Sequence, residues 1–347
     1  MSFMRSIRRT AAQSVLNLFL LTSGLHAEIL WGVNGHPLVS YPGVTFDEQL
    51  VILNDLGAKS YRVDVTSLDK ADQLAALIAA AKRHSITILP ILIPPVSLSA
   101  ESEPDLYRKS FEFAEAFVRR FGHDIPVWEL GNELENHAII QPCERRDDGT
   151  QYPCEWGPAG GWGPLEYYGP RYLKVAAVLR GLSEGARSAD PEAVRAIGSA
   201  GWGHVGIFER LKRDGIPWEI SVWHHYDGDP ELALKVLATY GRPIWVTEFN
   251  HAYGSKRDGE DGQASGLQCQ MRRFLDLAQT YRIEGAFIYE LLDEAYWAPG
   301  DEAYMGLVRL TKTGNGKWAL GGTKAAFTAA KRVMADGSRK RTDTCSR

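Results

Sequence analysis

The chain has 347 residues, of which 44% are hydrophobic and 24% are charged, and its formal net charge is -4. These values are ordinary for a globular protein and supply enough apolar material for one large core or two small ones. The basic residues are scattered along the sequence, which excludes the strongly basic surface typical of nucleic-acid binding. A neutral or weakly charged partner is therefore expected.

The first 27 residues have the pattern of an export signal. Arg5, Arg8 and Arg9 precede a mostly apolar run over 11–24, and Ala27 offers a small residue for cleavage. The run is shorter than the ~20 apolar residues of a membrane span and is interrupted by polar side chains, which favours a cleaved signal over an uncleaved anchor. We predict a secreted or periplasmic protein with no membrane attachment after cleavage.

Four cysteines fit an exported protein. Cys143 and Cys154 lie in a polar loop punctuated by glycine and proline, where a disulfide would restrain a segment without secondary structure of its own. Cys269 and Cys345 are the remaining pair, and sequence alone does not fix the connectivity. No CxxC or HxxxH spacing occurs, so a zinc site is not expected. Nothing else in the sequence implies a metal or an organic cofactor, and we predict none.

From Glu28 onward, short apolar strands alternate with amphipathic helices. The strands are predicted over 28–33, 60–65, 86–93, 125–128, 194–198, 219–226, 243–249 and 285–290. The helices are predicted over 45–56, 70–84, 104–121, 165–188, 205–213, 230–240, 263–281 and 323–335. This alternation predicts a single-domain (β/α)8 TIM barrel over 28–335, followed by a polar tail over 336–347.

Two of the predicted strands lead into a glutamate. Asn132 and Glu133 follow the fourth strand, and Glu248 lies at the end of the seventh. The carboxyl ends of all barrel strands meet at one face, where reactive groups gather. Glycoside hydrolysis requires two carboxyl groups, one protonated to assist the leaving group and one ionised to attack or to activate water. We therefore predict that Glu133 and Glu248 form a catalytic pair.

The sequence resembles the clan A glycoside hydrolases. The resemblance rests on Glu-Leu-Gly-Asn-Glu at 129–133, Val-Thr-Glu-Phe at 246–249 and Tyr-Glu-Leu-Leu-Asp-Glu at 289–294. These motifs look most like family 39, the β-xylosidase and bacterial exopolysaccharide hydrolase group, and next most like family 5. The resemblance implies a (β/α)8 barrel in which Glu133 is the general acid and base and Glu248 is the nucleophile of a retaining mechanism.

The resemblance also implies roles for polar residues at other strand ends. Asn132 would donate a hydrogen bond to the sugar 2-OH, Arg62 would keep the nucleophile ionised, and Tyr226 would hydrogen-bond the nucleophile. His224 lies two residues before Tyr226 and therefore faces the same side of the strand. The structural alternatives are a turn or helix cap at Asn132, an ion pair between Arg62 and Asp64, and a surface position for each catalytic glutamate.

The eighth strand departs from the pattern of the clan, in which a tryptophan commonly lines the subsite of the cleaved sugar. Here the strand ends in Tyr289-Glu290, so either Trp297 folds back as the platform or Glu290 bonds a sugar hydroxyl. An irregular stretch over 136–162 leaves the same face and is a candidate wall of the cleft. Aromatic residues in and just after this stretch are available for stacking on sugar rings: Trp156, Trp162, Tyr167 and Tyr168.

We predict a monomeric retaining β-glycosidase whose partner is a carbohydrate, a polysaccharide or an oligosaccharide. The long loop favours endo-action on an exopolysaccharide, but such a loop can equally block one end of the cleft and impose exo-action. Two alternative functions assign the protein to a class other than enzymes. A catalytically silent glycan-binding barrel predicts the loss of one acid, and a structural partner in an envelope complex predicts a large exposed apolar patch.

Overall fold

The computed structural model of the protein describes residues 28–201 and 203–337 and confirms the predicted (β/α)8 barrel. The barrel strands are Leu30–Gly35 (β1), Ser60–Val65 (β2), Thr87–Leu92 (β3), Val127–Leu130 (β4), Val194–Ser199 (β5), Ile220–His225 (β6), Ile244–Phe249 (β7) and Ile283–Ile288 (β8). They are all parallel and follow one another around the barrel in chain order, and β1 pairs with both β2 and β8 to close it. The predicted signal peptide, Cys345 and most of the polar tail lie outside the described residues.

Helices connect the strands and cover the outside of the barrel. They are Phe46–Leu56 (α1), Ala71–Arg83 (α2), Glu103–Phe121 (α3), Gly169–Ala189 (α4), Ile207–Arg213 (α5), Pro230–Ala238 (α6), Gly259–Tyr281 (α7) and Ala325–Asp336 (α8). Within 28–201 and 203–337, we find no helix that combines the length and the apolar character needed to cross a membrane.

Helix α1 begins where the sequence predicts. The Glu48 backbone N–H donates to Thr45 Oγ1 at 3.3 Å, and the Thr45 backbone N–H donates to Glu48 Oε2 at 2.7 Å. This capping box satisfies two backbone donors that the first helical turn cannot pair internally. Gly57 ends the helix with φ 94°, a left-handed conformation that glycine adopts without a steric penalty.

The interior of the barrel changes from apolar to polar along the strands. Ala196, Ile220 and Val222 form a small buried cluster separate from the main core between barrel and helices. On β6, Ile220 and Val222 share a face with His224 because alternate residues of a strand point the same way. The apolar cluster therefore lies below the polar groups that gather at the carboxyl ends of the strands.

A hairpin lies between β8 and α8 that the sequence analysis did not predict. Its antiparallel strands are Val308–Lys312 (β9) and Trp318–Thr323 (β10). Asn315 and Gly316 turn the chain between them with φ values of 63° and 70°. Helix α8 consequently begins at Ala325, after the hairpin.

Candidate active site

The loop after β4 turns sharply at its start. Gly131 and Glu133 adopt left-handed backbone conformations, with φ values of 76° and 49°. Such a conformation is uncommon for glutamate and carries a conformational cost. The Glu133 side chain is 31% exposed, so the carboxyl group of the predicted general acid is accessible from the cleft.

Glu248 lies on β7 and is 7% exposed, so it is more deeply buried than Glu133. Arg62 Nη1 donates to its Oε1 at 2.6 Å, and the Tyr226 hydroxyl donates to its Oε2 at 2.7 Å. Burial alone would raise the pKa of Glu248. The charges of His224 and Arg62 and the hydrogen bond from Tyr226 outweigh burial and hold that pKa below its ordinary value. The site therefore favours an ionised carboxylate at this position.

His224 lies between the two glutamates. Its Nδ1 is 2.8 Å from Glu133 Oε1 and 3.3 Å from Glu248 Oε2. Burial lowers the pKa of His224, but the charge of Glu248 and the contact with Glu133 raise it above its ordinary value. One carboxylate oxygen of each glutamate and a ring nitrogen of His224 all lie within 4.8 Å of one another. The loop after β4 and the end of β7 thus bring their acids to one point.

Arg62 is 1% exposed and uses all five of its N–H groups. Nε and Nη2 donate to the two carboxylate oxygens of Glu129, at 2.8 and 2.6 Å. Nη1 donates to Asn34 Oδ1 and Glu248 Oε1, and Nη2 also donates to Asn132 Oδ1 at 2.9 Å. Asn132 is therefore oriented by Arg62, with its amide oxygen occupied and its NH₂ group left as the donor.

The ion pair between Arg62 and Asp64, considered as an alternative from the sequence, is wrong. Asp64 instead pairs with His36, whose Nδ1 lies 2.6 Å from Asp64 Oδ2. Successive residues of β2 point to opposite faces, but Arg62 and Asp64 share a face, and Asp64 lies one pair further toward the rim. The guanidinium reaches across the barrel to Glu129 and Glu248, whereas Asp64 meets the residue that follows β1.

The end of β8 contributes a buried carboxyl group. Glu290 is 0% exposed, and its Oε2 accepts a hydrogen bond from the Tyr41 hydroxyl at 2.9 Å. Burial raises the pKa of Glu290 to about 8 despite the opposing influence of His36. Its Oε1 is buried and has no hydrogen-bond partner in the described chain. Glu290 is thus fully buried just after β8 and carries one unpaired acceptor, and its contact with a sugar hydroxyl stays a prediction.

Besides Glu133, His224 and Glu248, a second group of three side chains in the described ranges could hold a metal ion. His36, Glu290 and Glu294 each bring a ligand atom within 4.8 Å of the others. His36 Nε2 is 3.4 Å from Glu290 Oε2 and 3.9 Å from Glu294 Oε1. The expectation that the protein needs no metal or cofactor remains a prediction.

The irregular stretch after β4 is held by covalent and ionic contacts. Cys143 and Cys154 form the predicted disulfide, with their Cα atoms 4.4 Å apart. From α4, Arg171 donates to the backbone oxygens of His137 and Ile139, at 2.7 and 2.8 Å, and also to Glu144. The stretch is therefore fixed against the barrel at several points without forming a long helix or strand.

The predicted sugar-stacking aromatics divide into two groups. Trp156, Trp162 and Trp297 are exposed by 57%, 46% and 60%, so their rings are available to a ligand. The prediction for Tyr167 is wrong, because this side chain is fully buried and its hydroxyl donates to Gly161 O at 2.9 Å. Tyr168 carries the Arg171 guanidinium over its ring at 4.8 Å from the centroid.

Several residues of the site have no role in the sequence analysis: Asn34, His36, Tyr41 and Glu129. Asn34 and His36 lie at and just after the end of β1, and polar residues at a strand exit were available as a signal. Glu129 lies within an apolar strand, where a charged residue implies a buried partner. Tyr41 lies in a loop, and nothing in its local sequence marks it.

Comparison with known proteins supports the fold. No family model matches the chain, and no curated protein matches it. Among solved structures, the chain is similar to a β-glucosidase from Thermotoga maritima in complex with glucoimidazole, at 14% identity and a TM-score of 0.61, over 88% of this chain and 97% of that chain. It is similar to the virulence factor SghA from Agrobacterium tumefaciens, at 12% identity and a TM-score of 0.59, over 88% of this chain and 97% of that chain. At these identities the similarity establishes a shared barrel fold.

Proposed function

We propose that the protein is a retaining β-glycoside hydrolase of clan A. The observation that carries this proposal is the meeting of Glu133 and Glu248, with one oxygen of each no more than 4.8 Å apart. Retaining glycosidases keep their carboxyl groups roughly 5–5.5 Å apart, whereas inverting enzymes separate them by roughly 6.5–9.5 Å to admit water. The fold shared with proteins described as β-glucosidases supports the same class.

The environments of the two glutamates support different roles. Glu248 is buried, receives hydrogen bonds from Arg62 and Tyr226, and has a lowered pKa, as an ionised nucleophile requires. Glu133 is more exposed and contacts His224 and Asn136 at 2.8 and 3.3 Å. It is placed to exchange a proton with the leaving group and then with water.

The reaction then proceeds in two displacements. In the first, a Glu248 oxygen bonds to the anomeric carbon, the glycosidic C–O bond breaks, and the departing oxygen takes the proton of Glu133. In the second, Glu133 removes a proton from water, the water oxygen bonds to the anomeric carbon, and Glu248 leaves as a carboxylate. Both steps invert the anomeric carbon, so the product retains the configuration of the substrate.

We further propose that the substrate is a polysaccharide or oligosaccharide, that the protein acts as a secreted or periplasmic monomer, and that its motifs place it nearest to family 39. The exposed Trp156, Trp162 and Trp297 support contacts with several sugar units. Endo-action would release internal fragments from a polymer, while exo-action would release single terminal units, and product sizing by chromatography distinguishes them.

Dinitrophenyl β-glucoside and β-xyloside test the assignment, because their leaving group needs little protonation. We expect Glu248→Gln to reduce kcat by at least about 10⁴-fold. Glu133→Gln should instead release a burst of dinitrophenolate and then turn over slowly, since glycosylation proceeds but water is not activated. Proton NMR of the wild-type reaction should show the β-anomer as the first product.

Two results would overturn the proposal. An α-anomer as the first product would establish inversion. Binding of β-linked oligosaccharides without cleavage by the wild-type protein, and without trapping by a fluorinated dinitrophenyl glycoside, would favour the catalytically silent glycan-binding barrel.

A further inference from the structure

Glu129 is a buried carboxylate with no place in the reaction described above. It is 1% exposed and lies on β4, three residues before Asn132. Its two oxygens accept from Nε and Nη2 of Arg62, which is the fork-to-fork geometry of a strong arginine–carboxylate pair. The Thr247 hydroxyl donates to its Oε1 at 3.2 Å, so the residue beside the nucleophile on β7 also contacts Glu129.

Glu129 fixes the orientation of the Arg62 guanidinium group. A guanidinium is planar and rigid, so fixing Nε and Nη2 also fixes the direction of Nη1. Nη1 is the atom that donates to Glu248, at 2.6 Å. Glu248 itself is held by only one of the five N–H groups of Arg62, while Glu129 holds two.

Charge adds a second effect. Arg62 is one cation for two buried carboxylates, Glu129 and Glu248. A negative charge at Glu129 takes part of the stabilisation that Arg62 would otherwise give to Glu248. Stabilising the ionised nucleophile too strongly in the ground state would slow its attack, because only interactions that strengthen in the transition state accelerate the reaction.

We infer that Glu129 is a positioning residue for the nucleophile, which aims Arg62 Nη1 at Glu248 and limits the charge stabilisation that Glu248 receives. This inference rests on the proposed function, in which Glu248 is the nucleophile. Glu129 does not contact the reacting atoms and acts only through Arg62.

A matched control exists elsewhere in the barrel. Arg195 Nε and Nη2 donate to the two oxygens of Glu219 at 2.9 and 2.6 Å, and Arg195 is also 1% exposed. The remaining nitrogen of this fork donates to the Ser183 hydroxyl at 3.1 Å. Glu129→Gln and Glu219→Gln are therefore the same chemical change in the same pairing geometry, one beside the nucleophile and one away from it.

The first readout is kinetic and uses dinitrophenyl β-glucoside or β-xyloside. In Glu129→Gln, the new NH₂ group faces an N–H of Arg62, so one bond of the fork is lost and Nη1 moves. We expect kcat/KM to fall by about 10²-fold, mainly through kcat, and Glu219→Gln to keep the wild-type value. Equal losses in the two variants, or none in Glu129→Gln, would overturn the inference.

The second readout does not depend on turnover. Carbon NMR of protein labelled at glutamate carboxyls, with Glu248→Gln to assign the resonance, measures the pKa of Glu248. Arg62 remains the neighbouring cation of Glu248 when Nη1 shifts, so removing the charge of Glu129 should lower that pKa by about one unit, whereas Glu219→Gln should not change it. The charged and titratable groups that influence Glu248 come from several elements: Arg62, Glu129, Glu133, His224, Tyr226, Tyr289 and Glu302.

A further variant separates geometry from charge. Glu129→Asp keeps the negative charge but withdraws it from Arg62, so kcat/KM should fall while the pKa of Glu248 stays within about half a unit of the wild-type value. This variant also decides the case if Glu129→Gln does not fold, because unchanged kcat/KM in Glu129→Asp would overturn the inference. If the wild-type protein cleaves no glycoside, the proposed function fails, and the NMR titration alone still decides whether Glu129 controls Glu248.

Discussion

In the Arg62–Glu129 and Arg195–Glu219 pairs, Nε and Nη2 of the arginine donate to the two carboxylate oxygens, but the surroundings of these two forks differ. The fork of Arg62 and Glu129 is buried on both sides, whereas the Glu219 side chain in the fork with Arg195 is 36% exposed. The third contact also differs, because Arg62 Nη1 reaches Glu248 and Arg195 Nη1 reaches a serine hydroxyl.

The difference between the forks shows how one local motif serves two purposes. Arg195 ties β5 to the residue before β6 and to α4, which is a structural connection on the helix side of the barrel. Arg62 lies inside the barrel, where its carboxylate partners Glu129 and Glu248 are almost entirely removed from water. A buried charge without a partner strongly destabilises the fold. The fork of Arg62 and Glu129, called the inner fork below, therefore affects both stability and the environment of Glu248.

Removing each arginine should produce the largest difference between the two forks. Arg62→Met leaves Glu129 and Glu248 buried without their cation, so we expect a loss of about 3–5 kcal/mol in the free energy of unfolding. We also expect kcat/KM to fall by about 10³-fold. Arg195→Met should cost about 1–2 kcal/mol and leave kcat/KM unchanged. Urea unfolding and steady-state kinetics measure both quantities, and an active Arg62→Met protein would contradict the assignment.

Glu290 extends the comparison to a buried glutamate without an arginine. Its folded pKa of about 8 exceeds the ordinary value, so the native state binds a proton that the unfolded state releases, and the wild-type protein loses stability as pH rises through this interval. Glu290→Gln has no carboxyl group to ionise at this position, so its stability does not fall for this reason as pH rises. Its free energy of unfolding should therefore improve relative to wild type by roughly 1 kcal/mol or more between about pH 5 and pH 8.

The stability of Glu219→Gln relative to wild type should change with pH in the opposite direction to that of Glu290→Gln. Burial would raise its pKa, but Arg195 lowers it, so its ionised form stabilises the native state above the unfolded pKa and this contribution is lost in acid. Glu219→Gln should therefore become less stable relative to wild type as pH rises from about 3 to about 5. The same pH trend in both variants would contradict the burial-based explanation for Glu290.

The pH dependence of activity should reveal the effect of Arg62, a member of the inner fork, on the pKa of Glu248. Because Arg62 and His224 hold the pKa of Glu248 below its ordinary value, the acid limb of kcat/KM should lie below the ordinary glutamate pKa of about 4.3. Activity is then lost as pH falls through the folded pKa. An acid limb above that ordinary value would indicate that another group controls the reaction, and Glu219→Gln should not move the limb.

The smallest expected effects come from the hydroxyl partners of the two forks. Ser183→Ala removes the acceptor of Arg195 and should cost about 1 kcal/mol of stability without changing activity. Thr247→Val removes the donor to Glu129 and should lower kcat/KM a few-fold. Thermal unfolding and kinetics on both variants would show whether the two hydroxyls differ as their forks do.

Local sequence patterns predicted most of the fold and the positions of the acids. Glu133 and Glu248 were identifiable as candidate acids because each lies at the carboxyl end of an apolar strand. His224 and Tyr226 were singled out by the resemblance to the clan, and the period of two along the strand predicts that they face the same side. The hairpin after β8 was missed although Gly314-Asn315-Gly316 between two short strands is a typical turn signal.

Partnerships across the barrel could not be predicted in the same way. Glu129 and Arg62 are 67 residues apart and meet because β2 and β4 flank β3 and direct both side chains into the barrel interior. Tyr41 reaches Glu290 across 249 residues because β1 pairs with β8 when the barrel closes. The spacing of residues along the chain fixes the face of each side chain, but the closure of the barrel determines which side chain it meets.

The left-handed backbone at Glu133 restricts how this position can vary in a family of related genes. Single-nucleotide changes in a glutamate codon lead to aspartate, glycine, alanine, valine, lysine or glutamine. Glycine and aspartate tolerate a φ of 49°, whereas the β-branched valine is strongly disfavoured there. Under the proposed function, drift toward an inactive binding protein is therefore expected to reach Asp or Gly at this position more often than Val.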